Sequence, residues 1–385
     1  MRFSSQQIHA GVTPDPVTGA ILTPIYQSTT YVQESVDRYL EKGYSYSRTA
    51  NPTVRALELK LAQLEGGADC TCFTTGIAAI HGLMLAFLNA GDHAIVSDVV
   101  YGGTYRMCTQ VLNRFGIDFT FANTADPESV RESVRDNTAL ILTETPANPT
   151  MKLSDIAAIS EVARAAGVVH AVDNTFLTPY FQRALDLGAD LSIHSTTKYL
   201  DGHNATVGGA VIAKTAEHDE MMRFIQNNTG SIMSPQVAWL TMQGCKTLSV
   251  RMDRQSANAM AVAEYLEAHP KVNQVCYPGL PSFSQHELAK QQASGFGAML
   301  WFEVKGGLES GKALMDSIEL WSLAENLGSV ESLITHPVTM THAAVEEAER
   351  QRLGIIDGLV RLSVGLEDAD DLIEALDRAL KNVLD

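Results

Sequence analysis

Two apolar runs end on the side chains best suited to chemistry. In Ser192-Ile193-His194-Ser195-Thr196-Thr197-Lys198-Tyr199, strand-like alternation through Leu191 and Ile193 ends in three hydroxyl residues and a lysine. Ligands of open α/β sheets sit beyond the carboxyl ends of the strands, so Ser195, Thr197 and Lys198 are expected to face a crevice. Hydroxyls there can hydrogen-bond phosphate oxygens. A lysine buried there has a lowered pKa and a free lone pair, which makes it a candidate Schiff-base amine. A surface lysine that merely follows a strand leaves the same local pattern. The second run, Val168-Val169-His170-Ala171-Val172-Asp173-Asn174, ends in an acid. A carboxylate at a buried strand end is costly unless a cation or strong donor meets it, although a helix N-cap would also account for it. Pyridoxal phosphate (PLP) joins the two tips. Its aldehyde takes a lysine, and its ring nitrogen, kept protonated by an aspartate, makes the ring an electron sink.

Such tips need a sheet behind them. Val54, Leu57, Leu61 and Leu64 recur at helical spacing between Pro52-Thr53 and Gly66-Gly67, which mark a start and a stop. A strand follows at 69–73. Thr74-Thr75-Gly76-Ile77-Ala78-Ala79 then opens a helix running to about residue 88. A glycine at a helix start lets backbone N–H groups approach a phosphate, although helix entry alone would explain it. Strands are expected at 94–97, 118–121, 139–143 and 207–213, and helical patterns lie between them, including 153–166. Alternating strands and helices imply a parallel, doubly wound sheet. Residues 235–268 read as one long helical region, ended by His269-Pro270. A strand at 298–304 and a last amphipathic helix at 369–384 belong to a smaller domain. The expected division is an arm at 1–50, a large domain at 51–245 and a small C-terminal domain at 246–385. Pro14, Pro16, Gly19 and Pro24 make the arm irregular, so it needs another surface to pack on.

Composition narrows the class. The chain has 385 residues, too many for one compact core. Its formal charge of −17 argues against nucleic acid and anionic membranes as partners. Five cysteines without a CxxC pair give no disulfide framework. The first residues lack an apolar signal core and no apolar run approaches spanning length, so a cytoplasmic protein is expected. His203 has no second histidine at ligand spacing, and no metal centre is expected.

Several separated motifs then coincide. Asp173-Asn174-Thr175-Phe176, Ser195-Thr196-Thr197-Lys198-Tyr199 and Gly202-His203 resemble the Cys/Met-metabolism family of PLP enzymes, the trans-sulfuration enzymes, over nearly the whole chain. The resemblance implies an aspartate aminotransferase-like α/β fold (PLP-dependent transferase fold type I), with a large parallel-sheet domain and a smaller α+β C-terminal domain. It assigns Lys198, Asp173 and Tyr101 to catalysis and to cofactor contact. The PLP phosphate would be bound by backbone at Gly76 and Ile77, by Ser195 and Thr197, and by Tyr46 and Arg48 of a neighbouring subunit. Tyr101, in Val100-Tyr101-Gly102-Gly103-Thr104, would stack on the ring and exchange a proton with the leaving group; a tyrosine half-buried at a turn is its plain alternative. Asn148, within Glu144-Thr145-Pro146-Ala147-Asn148-Pro149, would lie near the substrate carboxylate. Arg361 would grip that carboxylate, unless it pairs with Glu367 or Asp368. Glu325 would meet a distal amino group, with Asn326 beside it.

The family therefore implies a small amino-acid substrate, reaction at Cγ and a homo-oligomer, usually a tetramer of dimers. Among its members the chain leans to cystathionine γ-lyase, with cystathionine γ-synthase the alternative; methionine γ-lyase or a catalytically silent PLP-binding subunit lie further off. Three positions depart from the family pattern: Asn326 replaces a serine, Ser45 stands where several relatives have an acid, and Asn204-Ala205 replaces Ser-Asp or Gly-Asp.

Overall fold

The computed structural model describes residues 1–341, 343 and 346–383. Two sheets organise it. The first comprises β1 (Asp69–Phe73), β2 (His93–Ser97), β3 (Asp118–Ala122), β4 (Thr138–Glu144), β5 (Val169–Asp173), β6 (Leu191–His194) and β7 (Gly209–Ala213), in spatial order β1-β7-β6-β5-β4-β2-β3. The pairs β2–β3, β2–β4, β4–β5 and β5–β6 are parallel, as a chain of strand–helix units requires. The expected all-parallel sheet needs one correction: β7 runs antiparallel to both β6 and β1. No helix lies between β6 and β7. The chain therefore turns back at the sheet end instead of crossing over, and the turn carries Lys198.

The helix Pro52–Glu65 forms where its punctuation says it should. Asn51 caps it by accepting from the Thr53 and Val54 N–H groups at 3.0 and 3.4 Å, and Gly66 ends it at φ 79°. The helical stretch 235–268 is two helices, Pro235–Cys245 and Leu248–Glu267. Thr247, at φ −112° and ψ 10°, leaves the helical well, and the Arg251 guanidinium takes the Gly244 carbonyl at 2.9 Å. The arm also holds a helix that its breakers concealed, Phe3–His9. The buried Lys60 ammonium caps it by donating to the Gln7 and Ile8 carbonyls at 2.7 and 3.3 Å.

After Leu248–Glu267 comes a second sheet: β8 (Val272–Cys276), β9 (Met299–Val304), β10 (Ser322–Leu323), β11 (Leu333–Thr335) and β12 (Leu359–Ser363), in order β10-β11-β12-β9-β8. The last helix is Ala369–Leu380, capped by Asp368. The end of the stretch expected to be helical, Leu384, lies outside the described residues. One apolar cluster joins Leu57 and Leu61 of the helix Pro52–Glu65 to Leu300, Phe302, Leu362 and Leu376 around the second sheet. That shared core fixes β12, and with it Arg361, against the large sheet.

Candidate active site

A cavity of about 520 Å³ opens where the carboxyl ends of β4, β5 and β6 meet the second sheet. Its walls include Gly76, Ile77, Tyr101, Asn148, Asp173, Ser195, Thr197, Lys198, Glu325, Asn326 and Arg361. Eleven of the thirteen residues expected at the site therefore meet there; the exceptions, Tyr46 and Arg48, do not line it.

Lys198 sits in the turn after β6, with its amine donating to Asn326 Oδ1. Burial, aided by the positive charge of Arg361, lowers its pKa to about 8. A lysine at that value is a far better nucleophile than one in water. Asp173 ends β5. Its Oδ1 accepts from the Thr175 N–H at 3.0 Å and from the Thr175 hydroxyl at 2.6 Å. Its other carboxylate oxygen is left for a further donor. Burial raises the Asp173 pKa, and a cationic N–H at that oxygen would favour the carboxylate form. Asp173 therefore caps no described helix: it accepts from Thr175 and lines the cavity.

The helix Gly76–Phe87 points its N-terminus into the same cavity. Thr75 caps it by accepting from the Ala78 N–H at 2.9 Å, which leaves the Gly76 and Ile77 N–H groups for an anion. A Cβ at Gly76 would stand 2.9 Å from Ser195 Cβ, so only glycine keeps this cradle open. The Thr197 hydroxyl already exchanges bonds with Gly208, accepting at 3.0 Å and donating at 3.3 Å. To hold a phosphate, Thr197 must yield the longer bond.

Arg361, from β12, is 2 % exposed and hydrogen-bonds no acidic side chain among the described residues. It donates to Asn148 Oδ1 at 2.9 Å and to the Glu325 and Asn326 carbonyls at 3.3 and 3.2 Å, and its Nε is unpartnered. The competing pair with Glu367 does not form, because that carboxylate is taken by the Ser332 N–H and hydroxyl, each at 2.7 Å. Burial lowers the Arg361 pKa to about 10. The guanidinium is hydrogen-bonded to neutral oxygens, and the Glu325 carboxylate in the same cavity wall only partly offsets its burial.

One residue was overlooked in the sequence. Glu144 ends β4, opposite Asp173 in register, and lines the cavity. Its oxygens accept from the Tyr101 and Asn148 N–H groups, each at 2.8 Å. Burial and the Asp173 charge raise its pKa to about 8. Two signals pointed to it: its place at the end of an apolar run, as for Asp173, and its place at the head of the motif that contains Asn148.

Two departures from the family pattern also touch. Asn326 Nδ2 donates to Asn204 Oδ1, and Asn204 Nδ2 donates to Glu331 at 2.9 Å.

A lysine amine, a facing aspartate, a glycine-opened helix N-terminus and a buried, only partly compensated arginine fit PLP bound with an amino acid, and they define a PLP-dependent enzyme of fold type I. Comparisons with known proteins agree. The family model described as "Cys/Met metabolism PLP-dependent enzyme" matches residues 4–381. A cystathionine gamma-lyase of Bacillus subtilis (strain 168) is 48% identical over 383 residues, covering 100% of each chain. A cystathionine gamma-synthase of Mycobacterium tuberculosis (strain CDC 1551 / Oshkosh) is 45% identical, covering 98% of this chain and 96% of its own length. The solved cystathionine gamma-lyase from Lactobacillus plantarum, complexed with L-serine, has a TM-score of 0.96 at 42% identity and covers 100% of this chain and 99% of its own. The chain belongs to the Cys/Met metabolism family of PLP-dependent enzymes.

Proposed function

We propose that the chain is a cystathionine γ-lyase, converting cystathionine to cysteine, 2-oxobutanoate and ammonia. The observation that carries the reading is the convergence of Lys198, Asp173, Arg361 and Glu325 on one cavity. PLP supplies, when bound, an electron sink for negative charge formed at the substrate Cα. Gly76, Ile77, Ser195 and Thr197 would hold its phosphate, and Asp173 would keep its ring nitrogen protonated. Arg361 and Asn148 hold the α-carboxylate, which turns the Cα–H toward Lys198. The Lys198 amine, with its lowered pKa, moves the proton off Cα and then takes one from Cβ, and the Cβ electron pair expels the γ-sulfur as a Cβ–Cγ double bond forms. Tyr101, half exposed at the cavity edge, meets the departing sulfur with a proton. The Glu325 carboxylate meets the distal ammonium of cystathionine.

The same contacts serve a cystathionine γ-synthase that joins an O-acylhomoserine to cysteine, and the relative at 45% identity supports this second reading. Methionine γ-lyase is disfavoured at Gly103. A Cβ there would lie 2.4 Å from the Tyr101 ring, so the cysteine common in those enzymes would push Tyr101 aside. Initial rates with cystathionine, with O-acylhomoserine plus cysteine, and with methionine rank the three. A fastest rate with either of the latter two overturns the γ-lyase assignment.

The proposed domains are the arm 1–50, the large domain 51–245 and the small domain 246–385. We assign the arm to a neighbouring subunit. Val17, Val32 and Val36 are 89 %, 90 % and 92 % exposed, which suits a covered surface. Tyr46 and Arg48 are also exposed, with the guanidinium donating to the Asn227 carbonyl and side chain at 2.7 Å. They are proposed to complete a partner's phosphate site in a dimer, two of which form a tetramer. An active monomer in sedimentation would overturn this. No helix among the described residues is long and apolar enough to cross a membrane. The five cysteines are free thiols, which supports a cytoplasmic location.

A further inference from the structure

We propose that Glu144 is the positioning residue that sets both ends of the substrate cavity from one buried carboxyl group. The inference rests on the site reading above and extends it to a residue outside the expected set. Tyr101 stands at the leaving-group end, and Asn148 with Arg361 stands at the α-carboxylate end. Neither Tyr101 nor Asn148 lies within a strand, so no sheet ladder holds its backbone. The Tyr101 carbonyl caps the helix Gly102–Arg106, and each residue's N–H is taken by one oxygen of Glu144: Oε2 takes the Tyr101 N–H and Oε1 the Asn148 N–H, both at 2.8 Å. Asn148 Oδ1 in turn accepts from Arg361 at 2.9 Å.

The arrangement needs a carboxyl group, ionised or neutral. Both bonds run from N–H donors to Glu144, so both oxygens must accept. Glutamine offers one acceptor and one NH2 group, and the NH2 would face an N–H donor. Aspartate keeps the carboxyl group but is one methylene shorter and cannot reach both loops unaided. Among the described residues no lysine or arginine pairs with Glu144, which is 6 % exposed. Burying an acid without a cation is unfavourable for folding, and its two bonds both serve segments that line the cavity. A distortion of about 1 Å in such segments costs on the order of 100-fold in rate.

The first test uses the unmodified holoenzyme. Hydrogen exchange should show the Tyr101 and Asn148 amides protected by about 100-fold or more over unbonded loop amides; exchange at the unprotected rate overturns the proposal. The second test uses Glu144→Gln. Its kcat/KM is expected to fall about 10- to 100-fold while the visible absorbance of the bound cofactor is retained. Its affinity for glycine, read by spectral titration, is also expected to fall, because glycine engages only the carboxylate end. A double-mutant cycle with Asn148→Ala should be non-additive, the double variant lying within about twofold of the worse single variant. Additive losses, or unchanged glycine affinity, overturn the coupling. If Glu144→Gln does not fold, Glu144→Asp is carried through the same cycle, and the exchange measurement stands independently. A wild-type protein that binds no PLP would sink the site reading itself, and the protection of the two amides would still be decided separately.

Discussion

Replacing Arg361 with methionine should separate stability from activity, and the structure fixes both magnitudes. The guanidinium is buried without an acidic hydrogen-bond partner among the described residues, and burial, only partly offset by the Glu325 charge, lowers its pKa to about 10. That depression is a cost to the folded state of about 3 kcal/mol for holding the charge. Against it stand the bond to Asn148 at 2.9 Å and two weaker bonds to carbonyls at 3.2 and 3.3 Å. The first contributes about 1.5–3 kcal/mol and the longer two little. Arg361→Met removes cost and bonds together and leaves a shape-matched apolar chain. Unfolding free energy of the apoprotein should therefore change by no more than about 1 kcal/mol, roughly 2 °C in Tm for a chain of this size. Catalysis should respond very differently. A charged fork facing the substrate carboxylate in a dry cavity is worth about 3–4 kcal/mol, hence a loss of about 100- to 1,000-fold in kcat/KM. Most of the loss should appear in KM, and Arg361→Lys should recover only part of it, because the fork is lost. Urea denaturation of the apoprotein and steady-state kinetics with cystathionine are the assays. A stability loss above about 3 kcal/mol, or an unchanged KM, would refute the account of Arg361 as a carboxylate receptor without an acidic hydrogen-bond partner.

Other consequences can be measured directly. The rate at which the apoprotein takes up PLP should rise with pH through about 8, because the neutral amine of Lys198 is the nucleophile; Arg361→Met should move the inflection upward by removing a nearby positive charge, and Lys198→Ala should lose the yellow colour. An inflection near the ordinary lysine value would show that Lys198 is not buried as described. Lys60, buried under the N-terminal helix, also has its pKa lowered by burial, to about 8 from 10.5. Its folded pKa lies below its unfolded one, so the unfolded chain binds more protons between pH 8 and 10.5. The Lys60 contribution to stability should rise across that window by up to about 3 kcal/mol. Comparing urea midpoints of wild type and Lys60→Met over this range isolates the slope, and parallel profiles would contradict it. Asn204→Gly keeps the left-handed backbone but removes the support of Asn326. It should lower kcat about 2- to 10-fold, one neutral hydrogen bond's worth, without moving Tm by more than about 1 °C; an unchanged kcat would show that Asn326 needs no such support.

The parts of the fold legible in the sequence are those with local causes. The helix Pro52–Glu65 was marked by its own cap and stop, and the tips of β5 and β6 by apolar runs ending in Asp173 and in Ser195 to Lys198. What was not legible depends on contacts between distant segments. The apolar stretch of β7 reads the same whichever way it runs, and only the missing crossover reverses it. The helix Phe3–His9 is too short to announce itself, and Lys60, far along the chain, supplies its C-terminal cap. Glu144 escaped because its partner Tyr101 lies 43 residues earlier. The strand order β5-β4-β2 puts the Tyr101 turn beside the β4 tip, and no local spacing encodes that order.

The departures at 326 and 204 make more sense together than apart. An asparagine at 326 reaches Lys198 with its oxygen, but its amide must be turned the right way for the oxygen to face the amine. An unsupported side-chain amide can flip and present NH2 to an ammonium, which is repulsive. Asn204 removes that freedom by accepting from Asn326 Nδ2, and its own NH2 is fixed in turn on Glu331. The backbone of Asn204 lies at φ 53°, in the left-handed region that asparagine tolerates better than most residues. A serine at 326 would need none of this, since a hydroxyl can both donate and accept. The Asn204 substitution is thus explained as the partner that Asn326 requires, and the chain Glu331–Asn204–Asn326 ends on the one amine that the chemistry cannot do without.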